Sequence, residues 1–273
     1  MTLSTALRQG TELLAKTDIG VPRLTAEVLL CHALQRERAW LYAHSEDELR
    51  EVEWIHYGRY LDERMRGKPT QYITKKQEFY GREFRVSPAV LIPRPETEHL
   101  IETVLRRRKP GLMVDVGTGS GAIAVTLALE TGSPAVATDI SAPALAVAVQ
   151  NARRLQARVD FAETDLLAAL ADHSAAVVAS NPPYVAEGDR ETLQREVRDW
   201  EPHLALFAAD SGLAVYRRLI PEAERVLLPG GLLALELGAG QAEAVAGMLA
   251  GWHNLELVND LQGIPRVIVC EMP

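Results

Sequence analysis

Leu112-Met113-Val114-Asp115-Val116-Gly117-Thr118-Gly119-Ser120-Gly121 decides the fold of this 273-residue chain. Leu112 to Val116 is an apolar run of the length of a buried strand. The glycines after it let the backbone turn tightly and leave the main chain open to a ligand. Ala122 to Glu130 then reads as a helix. Strand, glycine turn and helix in that order suit a nucleoside-binding α/β unit. Asp139 ends a second strand, Ala135 to Asp139, 20 residues beyond Gly119. A carboxylate at that distance can accept hydrogen bonds from both hydroxyls of a ribose.

The same alternation continues downstream. Ala142 to Leu155 is an Ala-rich helix, Val159 to Ala162 a third strand and Ala175 to Ala179 a fourth. Gly212 to Val226 reads as a helix, Gly231 to Leu237 as a fifth strand and Gln241 to Leu249 as a helix. Leu255 to Val258 and Arg266 to Cys270 follow with only a Gly-Ile-Pro turn between them. No crossover helix fits there, so this last pair is expected to be antiparallel. The fold class is therefore α/β, a doubly wound and mostly parallel sheet.

Upstream the pattern is helical. Leu3, Leu7, Leu13 and Leu14 recur at roughly helical spacing. Thr25 is read as the N-cap of a helix with its apolar stripe at 26, 29, 30, 33 and 34. Ser45 and Glu48 have the spacing of a capping box, which predicts a helix from there through Trp54, Tyr57 and Leu61 to Met65. Glu78 to Val86 reads as a hairpin around Gly81. Val90 to Glu98 holds two prolines and reads as an extended linker leading into a helix. The expected domains are a small N-terminal helical domain over 1–75, a β-hairpin and linker over 76–98, and the α/β domain over 99–273.

Composition narrows the classes of function. The chain is 47% hydrophobic, enough for a sizeable core, yet no apolar run is long enough to span a membrane. No leader-like segment is read at the N-terminus. Cys31 and Cys270 stand far apart, so neither a disulfide framework nor a metal spacing is present, and no metal is expected. A reducing cytoplasm is the expected compartment. Net charge is −8: residues 1–80 carry 12 basic and 12 acidic side chains, leaving 17 and 25 for the remainder. Such an acidic body argues against non-specific binding of nucleic acid, which depends on Lys and Arg.

The cofactor is read from what surrounds the glycines. A dinucleotide turn usually reads GxGxxG, with a pyrophosphate on the helix N-terminus. Here the string is GxGxG, and Asp115 lies two residues ahead of it. A carboxylate there would repel a pyrophosphate and suits a cofactor bearing a cationic group, such as S-adenosylmethionine. Asp165 and Leu166, after the third strand, are expected beside an adenine, one accepting from its amine and the other packing on its face.

Ser180-Asn181-Pro182-Pro183-Tyr184 follows the fourth strand. Two prolines stiffen it and remove two backbone donors. The result is a ledge with an amide at one end and an aromatic ring at the other. Behind a methyl-donor site, it reads as a holder for a planar amino group of a base or an amide. The Asn181 side-chain oxygen and the Pro182 carbonyl can each accept one N–H, while Tyr184 stacks on the plane.

These residues resemble the HemK/PrmC family, protein-(glutamine-N5) methyltransferases that act on class I peptide chain release factors. The likeness runs from about Gly67 to the C-terminus. It is carried by Pro69 to Ile73, Phe79-Tyr80-Gly81, Leu91 to Glu98 (LIPRPETE), Asp115 to Gly121, Asp139-Ile140, Ser180 to Tyr184, Glu201-Pro202, Leu235 to Gly238 and Gly263. Lys75-Lys76 and Ala208 to Gly212 depart from the family's pattern. The resemblance implies a class I, Rossmann-like methyltransferase domain whose cofactor set is Asp115, Gly117, Thr118, Gly119, Ser120, Gly121, Asp139, Asp165, Leu166 and Asn181. It implies Asn181, Pro182, Pro183 and Tyr184 against the substrate, with Asn181, Pro182 and Tyr184 catalytic. It implies S-adenosylmethionine as donor and S-adenosylhomocysteine as product. The acceptor would be the glutamine of a Gly-Gly-Gln loop in the release factor, whose body residues 1–75 would grip, and the enzyme is expected to be a monomer. The alternative is a nucleic-acid amino-methyltransferase, a DNA adenine or ribosomal RNA guanine enzyme, because the same NPPY ledge occurs there.

Overall fold

The computed structural model describes residues 1–273 and divides them into two compact units, Met1–Lys75 with Gln194–Trp200, and Lys76–Leu193 with Glu201–Pro273. The first unit holds α1 (Leu3–Leu14), α2 (Pro22–Leu34), α3 (Arg38–Ala43), α4 (Glu51–Met65) and α5 (Thr70–Thr74). Its core gathers Leu3, Leu14, Leu29, Leu30, Leu41, Tyr57 and Leu61, all nearly inaccessible to solvent. Each such leucine contributes about 1.5–3 kcal/mol of burial.

Two helix starts differ from the sequence reading. Helix α2 begins at Pro22, with Val21 as its cap and Thr25 buried inside the first turns. Proline at the first helical position has the helical φ already set, and that outweighs a threonine cap three residues on. Helix α4 begins at Glu51, not at Ser45. The reciprocal cap is made by Glu53, whose side chain accepts the Arg50 N–H at 3.0 Å. Ser45 to Glu48 is instead spent on the start of α1. The Ser45 and Asp47 carbonyls accept the N–H groups of Ser4 and Leu3, and Glu48 bridges to Thr2.

The second unit opens with the hairpin β1 (Lys76–Phe79) and β2 (Arg82–Arg85), paired antiparallel as expected. Its inward rings, Phe79 and Phe84, meet edge-on at 6.0 Å within the core of this unit. Then come α6 (Thr97–Arg107), β3 (Met113–Val116), α7 (Ala122–Thr131), β4 (Ala135–Asp139), α8 (Ala142–Leu155), β5 (Val159–Glu163) and β6 (Ala175–Ser180). After them lie β7 (Val185–Ala186), a 3-10 turn over Glu187–Thr192, α9 (Arg195–Trp200), α10 (His203–Leu206) and β8 (Phe207–Ala208). The chain ends with α11 (Ala214–Val226), β9 (Leu227–Glu236), α12 (Ala242–Met248), β10 (His253–Asn259) and β11 (Pro265–Glu271).

Seven strands form the main sheet in the order β10-β11-β9-β6-β3-β4-β5. The pairs among β9, β6, β3, β4 and β5 are parallel, whereas β11 runs antiparallel to both β9 and β10. The expected doubly wound sheet with an antiparallel closing pair is what the chain forms. Strand order reverses at β3, which has β4 on one side and β6 on the other. In register, Val116 lies opposite both Thr138 and Ser180. Three strands thus deliver their C-terminal ends to one crevice, the place where open α/β sheets bind ligands.

Residues 194–200, which include α9, fall inside the range 99–273 read as the α/β domain, but they cluster with the first unit. The Arg64 guanidinium, largely buried, pairs there with Glu196, and Lys68 lies over the Trp200 ring. No helix is long and apolar enough to cross a membrane.

Candidate active site

The glycine turn between β3 and α7 is pinned to the end of β4. The Gly117 and Thr118 N–H groups both donate to the Thr138 carbonyl at 2.9 Å. The Gly119 N–H donates to Asp139 Oδ2 and the Ser141 N–H to Asp139 Oδ1, each at 2.9 Å. Asp139 therefore spans the turn and the start of α8, and its position is over-determined. A Cβ built on Gly117 or Gly119 would meet nothing within 4 Å, so bare backbone faces open space.

Asp115 lies beneath this floor. Its Oδ2 accepts the Thr118 hydroxyl at 2.6 Å and the Ala124 N–H at 3.0 Å. Its Oδ1 is buried with no hydrogen-bond partner. Burial pushes its carboxyl up to about 7 despite those two donors, with Asp139 adding to the rise.

A cavity opens above the turn. Its floor is Val116 to Ser120, one side is Thr138 to Ser141, and another is Thr164 to Leu166 with Arg218. The linker contributes Leu91, Pro93, Arg94 and Thr97, and the far rim holds Asn181, Pro183, Pro202 and Leu204. Of the residues singled out in the sequence, Gly117, Thr118, Gly119, Ser120, Asp139, Asp165, Leu166, Asn181 and Pro183 line it together. Asp115, Gly121, Pro182 and Tyr184 are not among its lining residues. Asp165 is not free-standing: its Oδ2 accepts from Arg218 Nη2 at 2.6 Å.

The ledge after β6 is held at several points. Ser180 Oγ donates to the Val116 carbonyl at 2.7 Å, stitching β6 to β3. Asn181 Nδ2 donates to Thr97 Oγ1 at 3.1 Å, and Thr97 Oγ1 donates to Glu236 Oε2 at 2.6 Å. The Tyr184 hydroxyl donates to Glu236 Oε1 at 3.3 Å. Burial is the main force pushing the Glu236 carboxyl up to about 7 and the Tyr184 hydroxyl above its ordinary range. The linker is tied down by Glu201, which pairs with Arg94 and accepts the Ile92 N–H at 3.1 Å.

Thr97, Glu201 and Glu236 are among the polar groups of the site to which the residue reading assigned no chemistry. Two of them stand out in the sequence as single carboxylates, though nothing local gives their partners. Glu236 is a carboxylate at the end of an apolar strand, and Glu201 stands between Trp200 and Pro202. No group of three or more His, Cys, Asp or Glu side chains is placed to hold a metal ion.

Comparison with known proteins agrees with this geometry. Residues 5–74 match the PrmC N-terminal domain and residues 95–205 the methyltransferase small domain. Among solved structures, a methyltransferase from Pyrococcus furiosus superposes with a TM-score of 0.54 at 18% identity, over 74% of this chain and 93% of its own. The T. thermophilus 16S rRNA methyltransferase RsmC, solved with AdoMet and guanosine, superposes with a TM-score of 0.53 at 16% identity, over 72% of this chain and 50% of its own. Both share the fold. The release factor glutamine methyltransferase of Koribacter versatilis is 46% identical, across 100% of this chain and 99% of its own. Those of Nitratidesulfovibrio vulgaris and Moorella thermoacetica are each 42% identical, across 98% and 97% of this chain and 94% and 97% of their own. Likeness of that extent, over both units and the whole cavity wall, means that the chain belongs to the release factor glutamine methyltransferase family.

Proposed function

We propose that this protein transfers a methyl group from S-adenosylmethionine to the side-chain amide nitrogen of the Gly-Gly-Gln glutamine in class I release factors. The observation that carries the reading is the orientation of Asn181. Its Nδ2 is engaged by Thr97, which leaves Oδ1 as the end available to the cavity. An acceptor oxygen at that rim is what a primary amide needs.

The residues present fit the cofactor. The orphaned Asp115 Oδ1 and the bare backbone over Gly117 and Gly119 suit a ligand with an ammonium group that approaches the main chain closely. Asp139 would hold the ribose hydroxyls, and Asp165 with Leu166 would border the adenine. The donor, when bound, supplies an electrophilic methyl on a sulfonium and leaves as S-adenosylhomocysteine.

An amide nitrogen is a weak nucleophile because its lone pair is shared with the carbonyl. Asn181 Oδ1 and the Pro182 carbonyl each accept one of its N–H groups. Together they aim the nitrogen and favour the positive charge that develops on it. Tyr184 supports the plane. No strong base is required, because an alkylated amide cation sheds its proton readily to water. Residues 1–75 are assigned to gripping the release factor body, and the enzyme to a cytoplasmic monomer that binds no nucleic acid directly.

Labelled-methyl transfer tests this reading with purified release factor, DNA and ribosomal RNA offered separately. Label is expected in the release factor alone. Label in either nucleic acid, with none in the protein, would replace the reading by the amino-methyltransferase alternative.

A further inference from the structure

We infer that Glu236 is a positioning residue that sets which end of the Asn181 amide faces the substrate. This rests on the function proposed above and adds a residue to it. Glu236 is 2% exposed, and both its oxygens accept: Oε2 from Thr97 Oγ1 at 2.6 Å and Oε1 from the Tyr184 hydroxyl at 3.3 Å. A hydroxyl has one proton to give. Once Thr97 has given its proton to Glu236, it meets the next group only as an acceptor. It therefore takes an N–H from Asn181, at 3.1 Å, and the Asn181 NH2 is the end turned toward the linker. Oδ1 is the end left for the cavity. The direction of the whole chain is set by Glu236 in its ionised form, whose two oxygens can only accept, so the assays below are run at about pH 8.5, above the value to which burial pushes this carboxyl.

The same carboxylate locates the other end of the ledge. Tyr184 is fixed at its hydroxyl by Glu236 and at its backbone carbonyl by Gln241 Nε2, at 2.9 Å. The fit is close: a Cβ on Gly238 would approach the Tyr184 ring to 2.9 Å. One carboxylate thus places both side chains that flank the two prolines. It does so from behind the wall, since Glu236 does not line the cavity.

The test uses full-length protein, purified release factor and saturating S-adenosylmethionine, with Thr97→Val, Thr97→Ser and Glu236→Gln. Thr97→Val removes the relay hydroxyl at nearly constant shape, and should lower kcat at least about tenfold. Thr97→Ser keeps the hydroxyl and should stay within about threefold of wild type. Glu236→Gln should lower kcat about tenfold while its affinity for S-adenosylhomocysteine, read by calorimetry, moves less than about threefold. Thr97→Val and Glu236→Gln combined should cost little more than the worse single change, because both interrupt one chain. Equal turnover in Thr97→Val and Thr97→Ser overturns the relay, as do losses that multiply in the double variant. Should Glu236→Gln lack a cooperative melt, the Thr97 pair decides by itself. Failure of wild type to methylate the release factor would overturn the proposed function and the relay together, which separates that outcome from failure of the relay alone.

Discussion

Asn151 brackets the backbone of Arg85. Its Oδ1 accepts the Arg85 N–H at 2.8 Å, and its Nδ2 donates to the Arg85 carbonyl at 3.0 Å and to the Ser120 carbonyl at 2.8 Å. One buried side chain on α8 thereby joins the hairpin to the glycine turn. Asn151→Ala should lower stability by about 2–4 kcal/mol, since it deletes three hydrogen bonds and leaves backbone groups in poor solvent. Urea titration measures this. A loss under about 1 kcal/mol would mean that water replaces the amide at no cost.

Asp139 holds the turn and faces the cavity. Asp139→Ala should weaken binding of S-adenosylhomocysteine by about 10- to 100-fold, the scale of hydrogen bonds to a charged acceptor. Calorimetric titration reads the change. Unaltered affinity would remove Asp139 from the cofactor set.

Two buried carboxyls give the stability a pH dependence of definite sign. Asp115 and Glu236 are each pushed up to about 7 in the folded chain, from ordinary values of 3.8 and 4.5. Between those limits the native state holds protons that the unfolded state has lost. Stability from this pair is therefore full below the unfolded values and declines as pH rises toward 7, at up to about 1.4 kcal/mol per pH unit for each group. Glu27, Glu53, Asp199, Asp260 and Glu271 are shifted down and act oppositely, but at more acid pH. Without ligand, denaturant midpoints should fall from pH 5 to 7 (about the range between those values), and the fall should shrink in Asp115→Asn with Glu236→Gln. An unchanged slope in that double variant would assign the dependence to other groups.

What the sequence made legible was what depends on neighbours in the chain. Strand, turn and helix follow one another at Leu112 to Glu130, so a local pattern contains the whole unit. The ledge at Ser180 to Tyr184 is legible because two prolines act on their own backbone. The polar frame is different. Glu236 gains its meaning from Thr97, 139 residues away, and Asn151 from Arg85, 66 residues away. Neither relation leaves a local trace: one sits in an apolar strand and the other in an Ala-rich helix. The place of helix α9 in the first unit is illegible for the same reason. Arg195 to Trp200 is short and polar, and its partner Arg64 lies far upstream. The start of α4 was misplaced because Ser45 has the composition of a cap, while the backbone of that turn is used by α1.

The most direct measurement is tandem mass spectrometry of a release factor incubated with S-adenosylmethionine and either wild-type protein or Asn181→Ala. Wild type should place one methyl group on the side chain of the Gly-Gly-Gln glutamine. Asn181→Ala should do so at least about 100-fold more slowly while still binding S-adenosylhomocysteine. A methyl group on any other residue, or near-normal turnover in Asn181→Ala, would contradict the assignment of Asn181 as the holder of the glutamine amide.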